Sequence, residues 1–108
     1  MKLLRVVLIT LVVLGIVCSI DVAAEKGNAD KGKALFSDVN FAGGNRACSE
    51  CHLNGKGLEK VADKTEFKTQ DGLAKQVNAC IVGAINGKAI DPKSAEMADI
   101  IAYIRSFK

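Results

Sequence analysis

The sequence has no tryptophan, one tyrosine and four phenylalanines among its 108 residues. So few large side chains argue against a self-sufficient hydrophobic core, and small domains of this kind often recruit a metal, disulfides or a cofactor. Histidine is equally scarce, since His52 is the only one. A metal site in this chain can therefore take one imidazole and no more.

Neither sign of charge dominates. When residues 1–24 are set aside, 13 Lys and Arg stand against 11 Asp and Glu. This mild surplus argues against nucleic-acid binding, which usually shows a dense basic face with aromatic residues among the lysines. The 49% hydrophobic and 25% charged residues are ordinary globular values, so the chain is not of the disordered class.

The N-terminal residues carry the pattern of an export signal. Lys2 and Arg5 give the sequence a positively charged start. An apolar run follows over residues 6–20, and small residues come after it. We therefore predict a signal peptide over residues 1–24 and one small domain over residues 25–108, exported to the periplasm. Because fifteen apolar residues are few for a span of about 20, we expect cleavage and no stable membrane insertion. An uncleaved N-terminal anchor is the alternative.

The cysteine count is odd once the signal is removed. Cys18 belongs to the signal, and a lipoprotein role is disfavoured because the preceding Val17 is not a small residue. Cys48, Cys51 and Cys80 remain, and three cysteines in an exported protein cannot all pair internally.

Residues 48–52 form a C-x-x-C-H motif, the pattern of covalent c-type haem attachment. Each of the two thiols, Cys48 and Cys51, adds across one haem vinyl group, and the two intervening residues let both reach the same face. His52 then points at the iron as the proximal ligand. The motif predicts one covalently bound haem c.

Three other interpretations of the motif are weaker. A thioredoxin-like redox pair requires a preceding strand and a βαβ pattern, which the sequence lacks. A zinc site of Cys48, Cys51, His52 and Cys80 would use two adjacent residues as ligands, whereas tetrahedral sites normally space them. A plain disulfide between Cys48 and Cys51 would place the only histidine beside it by coincidence.

Apolar periodicity predicts three helices and no strand, hence an all-α fold. The first covers Asn28 to Val39 with Asn28 as its cap, and the second covers about Gln70 to Ile85 with Thr69 as its cap. The third begins at Asp91-Pro92 or Ser94. The predicted inner faces are Gly32, Leu35, Phe36 and Val39 on the first helix, Leu73, Val77, Cys80, Ile81 and Ala84 on the second, and Met97, Ile100, Ile101, Ile104 and Phe107, with Tyr103 at the margin, on the third.

With the haem motif, the spacing Gly32-x-x-x-Phe36 and the stretch 99–104 (Asp-Ile-Ile-Ala-Tyr-Ile) resemble the marks of class I c-type cytochromes. The resemblance spans essentially the whole predicted domain. It implies a cytochrome c-like fold of three main helices wrapped around one covalently bound haem. It also implies that the first and last helices cross near Gly32, which has no Cβ to hold them apart.

The chain departs from that family beside the proximal histidine. Class I cytochromes usually carry a proline after the motif, in the region whose carbonyl holds the histidine ring, but residues 53–68 contain no proline. We expect a carbonyl in the turn 55–57 to hold the free ring nitrogen of His52 instead, since such support fixes the tautomer.

The second departure concerns the distal iron ligand. The family usually supplies a methionine from the loop before the last helix, but here that loop, residues 86–91, has none. Cys80 and Met97 are the remaining sulfur donors. Met97 offers a thioether but falls within the last helix, where methionine is often core filler. The candidates for the distal iron ligand are therefore Cys80 and Met97, and the alternative is that neither of them binds the iron.

The last forty or so residues also resemble thiosulfate dehydrogenase and sulfur-oxidising diheme cytochromes, in which the cysteine matching Cys80 ligates haem iron as a thiolate. The expected function is thus a one-electron carrier between redox protein partners. The alternative is a haem enzyme, or a subunit of one, that oxidises thiosulfate-type compounds with Cys80 at the iron. A gas sensor is a third option. Four lysines at four-residue spacing could dock acidic partners or simply keep the surface solvated: Lys56, Lys60, Lys64 and Lys68.

Overall fold

The computed structural model describes residues 26–108, so the predicted signal peptide and Cys18 lie outside the described residues. This part of the chain folds into three α-helices and has no strand, which confirms the all-α prediction. They are α1 (Ala29–Phe36), α2 (Gln70–Gly83) and α3 (Ala95–Arg105), and five short 3-10 turns lie between α1 and α2. No helix within residues 26–108 has the length and apolar character needed to cross a membrane.

Each helix begins where a polar side chain can cap it. Asn28, Thr69 and Ser94 each accept a hydrogen bond from the backbone N–H three residues further on. Such caps satisfy backbone donors that the first helical turn leaves unpaired. The caps predicted at Asn28 and Thr69, and Ser94 as one of the two predicted starts of the last helix, are confirmed.

The first helix is shorter than predicted. It ends at Phe36 rather than Val39, and Val39 is 49% exposed instead of lying on the inner face. The reason is local, because the Asp38 carboxylate accepts a hydrogen bond from the Asn40 backbone N–H at 2.9 Å. Aspartate favours such turns over continued helix.

The second helix also ends early, at Gly83 rather than Ile85. Asn86 adopts a left-handed backbone conformation with φ of 56°. The next backbone N–H then donates to the Ile81 carbonyl at 2.8 Å. A left-handed residue with a hydrogen bond back to the last turn is a common way to terminate a helix.

Helices α1 and α3 cross at Gly32, as expected from its lack of a side chain. Gly32 is buried, and a Cβ there would overlap the carbonyl oxygen of Asp99. Aromatic rings close the same end of the crossing. The Phe36 and Tyr103 ring centroids are 5.2 Å apart, and those of Tyr103 and Phe107 are 4.7 Å apart, both edge to face.

The chain is already fixed to α3 just before α1 begins. The Asn28 backbone N–H donates to Asp99 Oδ1 at 2.7 Å. A Cβ at Gly27 would overlap the carbonyl oxygen of Ala98, so the backbone there lies directly against α3.

The core lies between α2 and α3 and confirms most of the predicted inner faces. Its largest fully buried side chains are Leu73, Ile81, Met97, Ile100 and Ile101. The predicted inner face of α2 is wrong at two positions, because Cys80 and Ala84 are exposed. Phe107 lies beyond the end of α3 and is half-buried. The buried stripe of α2 instead runs through Leu73, Ala74, Val77 and Ile81, which leaves Cys80 at its edge.

Hydrogen bonds to neighbouring elements hold the connection between α2 and α3. The Asn78 side chain donates to the Ile90 carbonyl and accepts from the Ile90 backbone N–H, both at 2.9 Å. The Lys88 backbone N–H donates to the Ala42 carbonyl at 2.9 Å. This connection is therefore attached both to α2 and to the 3-10 turn that follows α1.

Replacing the glycine at the helix crossing should destabilise the fold. In Gly32→Ala the added methyl meets the Asp99 backbone, and overpacking of this kind costs about 1–3 kcal/mol. The melting temperature followed by circular dichroism should fall by roughly 4 °C or more. Gly83→Ala is the matched control, because a Cβ there has nothing within 4 Å. It should be neutral or gain up to about 1 kcal/mol of stability. Equal melting temperatures for the two variants would contradict the close crossing.

Candidate functional site

A cleft with a cavity volume of about 310 Å³ lies between α2, α3 and the 3-10 turns that connect α1 to α2. Cofactor pockets are typically apolar clefts of about 300–1,000 Å³ with a few polar groups. Most of the lining here is apolar, and the thiols of Cys48 and Cys80 and the imidazole of His52 are among its few chemically reactive groups. The apolar lining residues are Phe36, Leu58, Val61, Phe67, Leu73, Val77, Ile100 and Ile104.

The C-x-x-C-H motif folds as a tight helical turn at the edge of the cleft. The His52 backbone N–H donates to the Cys48 carbonyl at 3.1 Å, so the two residues are one turn apart and share a face. The Ala47 backbone N–H donates to the Glu50 carboxylate and closes the start of the turn. Cys51 is exposed beside this turn.

All three described cysteines are free thiols, but their surroundings differ. Cys48 is half-buried, whereas Cys51 and Cys80 are exposed. Burial raises the pKa of the Cys48 thiol, electrostatic interaction with Cys80 and Cys51 acts in the same direction, and a backbone hydrogen bond opposes them. Cys48 is therefore a neutral thiol at pH 7.

The His52 ring is held by a backbone carbonyl. Its Nδ1 lies 2.9 Å from the Lys56 carbonyl oxygen. Because a carbonyl oxygen only accepts, Nδ1 carries the proton and donates, and Nε2 is left with its lone pair free for a metal. This confirms the prediction that a carbonyl in the turn 55–57 holds the free ring nitrogen.

Left-handed backbone positions bring that carbonyl to the ring. Asn54, Gly55 and Gly57 have φ of 53°, 77° and 84°. Asparagine and glycine tolerate such angles better than other residues. Gly55 is also packed so tightly that a Cβ would overlap the Phe107 ring. The Asn-Gly-Lys-Gly sequence thus brings a backbone carbonyl to the histidine ring without a proline.

Cys80 faces the cleft from α2 and has a neighbour that the sequence analysis missed. Gln76 also lines the cleft, and its Nε2 donates to Cys80 Sγ at 3.6 Å. The available signal was the spacing, because residues four apart share one helix face.

Met97 lies away from this group. It is 0% exposed in the core and is not among the residues that line the cleft. The structure therefore brings Cys48, His52 and Cys80 to one cavity and leaves Met97 in the packing between helices.

Much of the cleft wall was also missed, because Leu58, Val61 and Phe67 lie in a segment without helical periodicity. They are placed by 3-10 turns and by Arg105 at the end of α3. The Arg105 guanidinium donates to the Phe67 carbonyl at 3.2 Å and to the Lys68 carbonyl at 3.4 Å. Arg105 follows Phe67 by 38 positions and Lys68 by 37, and no local sequence pattern indicates contacts over such a separation.

Within residues 26–108, no three side chains of the His, Cys, Asp and Glu types lie close enough together to hold a metal ion. A zinc site built from Cys48, Cys51, His52 and Cys80 therefore has no support in this arrangement. Cys48 and His52 line the apolar cleft, and Cys51 lies exposed on the same turn, so these three side chains are of the types that could hold a haem c through two thioethers and an imidazole.

The chain was compared with protein-family models, with curated proteins and with solved structures, and none of them matches it.

The turn that holds His52 can be tested with a glycine pair. Gly57→Ala should cost about 1 kcal/mol of stability at a left-handed position and move the Lys56 carbonyl from the ring. The His52 Nδ1–H proton should then exchange with solvent about fivefold faster by NMR, since a hydrogen bond contributes about 1 kcal/mol. Gly43→Ala, at φ of 73° with nothing within 4 Å of the added Cβ, is the control and should change stability alone. Unchanged exchange in Gly57→Ala would argue against this support.

Proposed function

We propose that this protein is an exported monohaem c-type cytochrome that carries single electrons. The observation that carries the proposal is that Cys48, His52 and Cys80 line one apolar cleft. Cys48 and Cys51 would hold one haem c through thioethers, and His52 would ligate its iron through Nε2. A cytochrome c-like wrapping of the three helices around the haem belongs to the same proposal.

Each residue in this arrangement has a task that its surroundings support. The Lys56 carbonyl fixes the His52 tautomer and ring orientation. Side chains such as Phe36, Val61 and Ile104 exclude water from the haem faces. The haem itself supplies reversible one-electron chemistry, and the protein tunes the potential and the docking.

For the distal ligand we propose Cys80 rather than Met97. Cys80 lines the cleft together with His52, whereas Met97 is buried outside it. The connection that would carry a methionine in class I cytochromes is held by Asn78 at Ile90. A thiolate ligand would lower the reduction potential relative to a thioether.

The proposed partners are redox proteins, and the proposed location is the periplasm. The lysines at positions 56, 60, 64 and 68 are all exposed, and Lys64 also lines the cleft. Glu66 lines the cleft as well, so the rim carries both signs of charge. The exposed lysines would attract acidic partners through weak, salt-sensitive contacts.

A second candidate function is favoured by the exposed thiol of Cys80 at the cleft. In this case the protein would be a haem enzyme, or a subunit of one, that oxidises thiosulfate-type compounds. Arg105, which could bind an anion, is instead bonded to two carbonyls. Turnover of thiosulfate with an artificial electron acceptor would favour the enzyme, and its absence would reject it.

Haem attachment is tested by expressing the full chain with export and cytochrome maturation. The wild-type product should absorb as a haem protein, and its mass should exceed the polypeptide mass by one haem. The Cys48→Ala, Cys51→Ala double variant should be unfolded or degraded, because the haem supplies much of the apolar interior. Recovery of a stable, helical, haem-free domain would contradict the proposal.

The distal ligand is tested on the haem-loaded protein with two variants. Cys80→Ala should abolish the optical and magnetic signature of a thiolate ligand. Met97→Leu should retain it and cost less than about 1.5 kcal/mol, because the swap conserves core volume. The opposite pattern would assign the ligand to Met97 and leave a higher-potential carrier.

A further inference from the structure

Gln76 is a cleft residue to which the proposed function gives no task. It precedes Cys80 by four residues on α2, so the two side chains share a helix face. Both line the cleft, and the Gln76 Nε2 lies 3.6 Å from Cys80 Sγ. Among residues 26–108, Gln76 is the only side chain that makes a hydrogen bond to this sulfur.

The direction of this hydrogen bond determines its effect. An amide N–H can only donate, and a charged acceptor binds a donor more strongly than a neutral one does. A ligating thiolate gives electron density to its metal, and a donor on the sulfur withdraws part of that density. Hydrogen bonds around a cysteine sulfur are a known control of metal reduction potential.

We propose that Gln76 is a positioning residue that holds Cys80 Sγ toward the haem iron and raises the reduction potential. This inference rests on the proposed function with Cys80 as the distal ligand. Leu73 and Val77 line the cleft on the same helix and, being apolar, offer the sulfur no other hydrogen-bond donor, whereas Cys80 and Gln76 are themselves exposed.

The experiment compares haem-loaded variants of the full chain. Gln76→Leu removes the donor, and Gln76→Glu replaces it with a negative charge. Gln70→Leu is the matched control, since Gln70 is the other glutamine of the chain, is exposed at the start of α2 and does not line the cleft. The measurements are the midpoint potential and the thiolate-to-iron charge-transfer band.

The potential should fall in the order wild type, Gln76→Leu, Gln76→Glu. For Gln76→Leu, the ratio of oxidised to reduced protein at a fixed electrode potential should rise by up to about tenfold, which is about 59 mV for one electron. The charge-transfer band should shift with it, and Gln70→Leu should match the wild type. A purely structural role would not order the potentials by the charge placed at residue 76.

Three results would overturn the inference. An unchanged potential and band in Gln76→Leu, with the thiolate signature intact, would reject the role of Gln76 and leave the proposed function standing. A wild-type haem protein without a thiolate signature would reject Cys80 ligation and the role of Gln76 with it. An equal shift from Gln76→Leu in a Cys80→Ala background would show that Gln76 acts through some other group.

Discussion

The contact between Gly32 and the backbone of Asp99 is the constraint on which the rest of this structure depends. Because Gly32 has no side chain, α1 and α3 approach until backbone meets backbone. That approach places the Phe36 ring edge to face against Tyr103. It also holds Phe36 at the cleft, which α3 residues such as Ile104 line as well. The apolar wall of the candidate site is therefore a consequence of a helix crossing that uses no functional side chain.

Features set by neighbouring residues were predictable from the sequence. The caps at Asn28 and Thr69 and the support of His52 by residues 55–57 each follow from a few adjacent residues. The crossing at Gly32 was expected from the resemblance, and the absence of a Cβ permits it. The helix ends were less predictable, since Asp38 and Asn86 terminate helices through local hydrogen bonds and backbone angles that compete with apolar periodicity.

The candidate ligands show why the rest required three-dimensional information. Helical periodicity predicted the same position for Cys80 and Met97, namely an inner, apolar helix face. In the fold one is exposed at the cleft and the other is 0% exposed in the core. Their separation depends on how α2 packs against α3. The cleft wall depends in turn on Arg105, which reaches from the end of α3 to the Phe67 carbonyl. Contacts of this kind leave no mark in local sequence.

The attachment of Gly27 and Asn28 to α3 determines how far the folded domain could stand from a bilayer. If the predicted leader were retained as an anchor, its apolar run would end at residue 20, and the six residues 21–26 would connect it to backbone already fixed to the fold. Six residues reach at most about 22 Å. A tether of that length would keep the domain close to the bilayer surface, whereas release of the leader would let it diffuse freely.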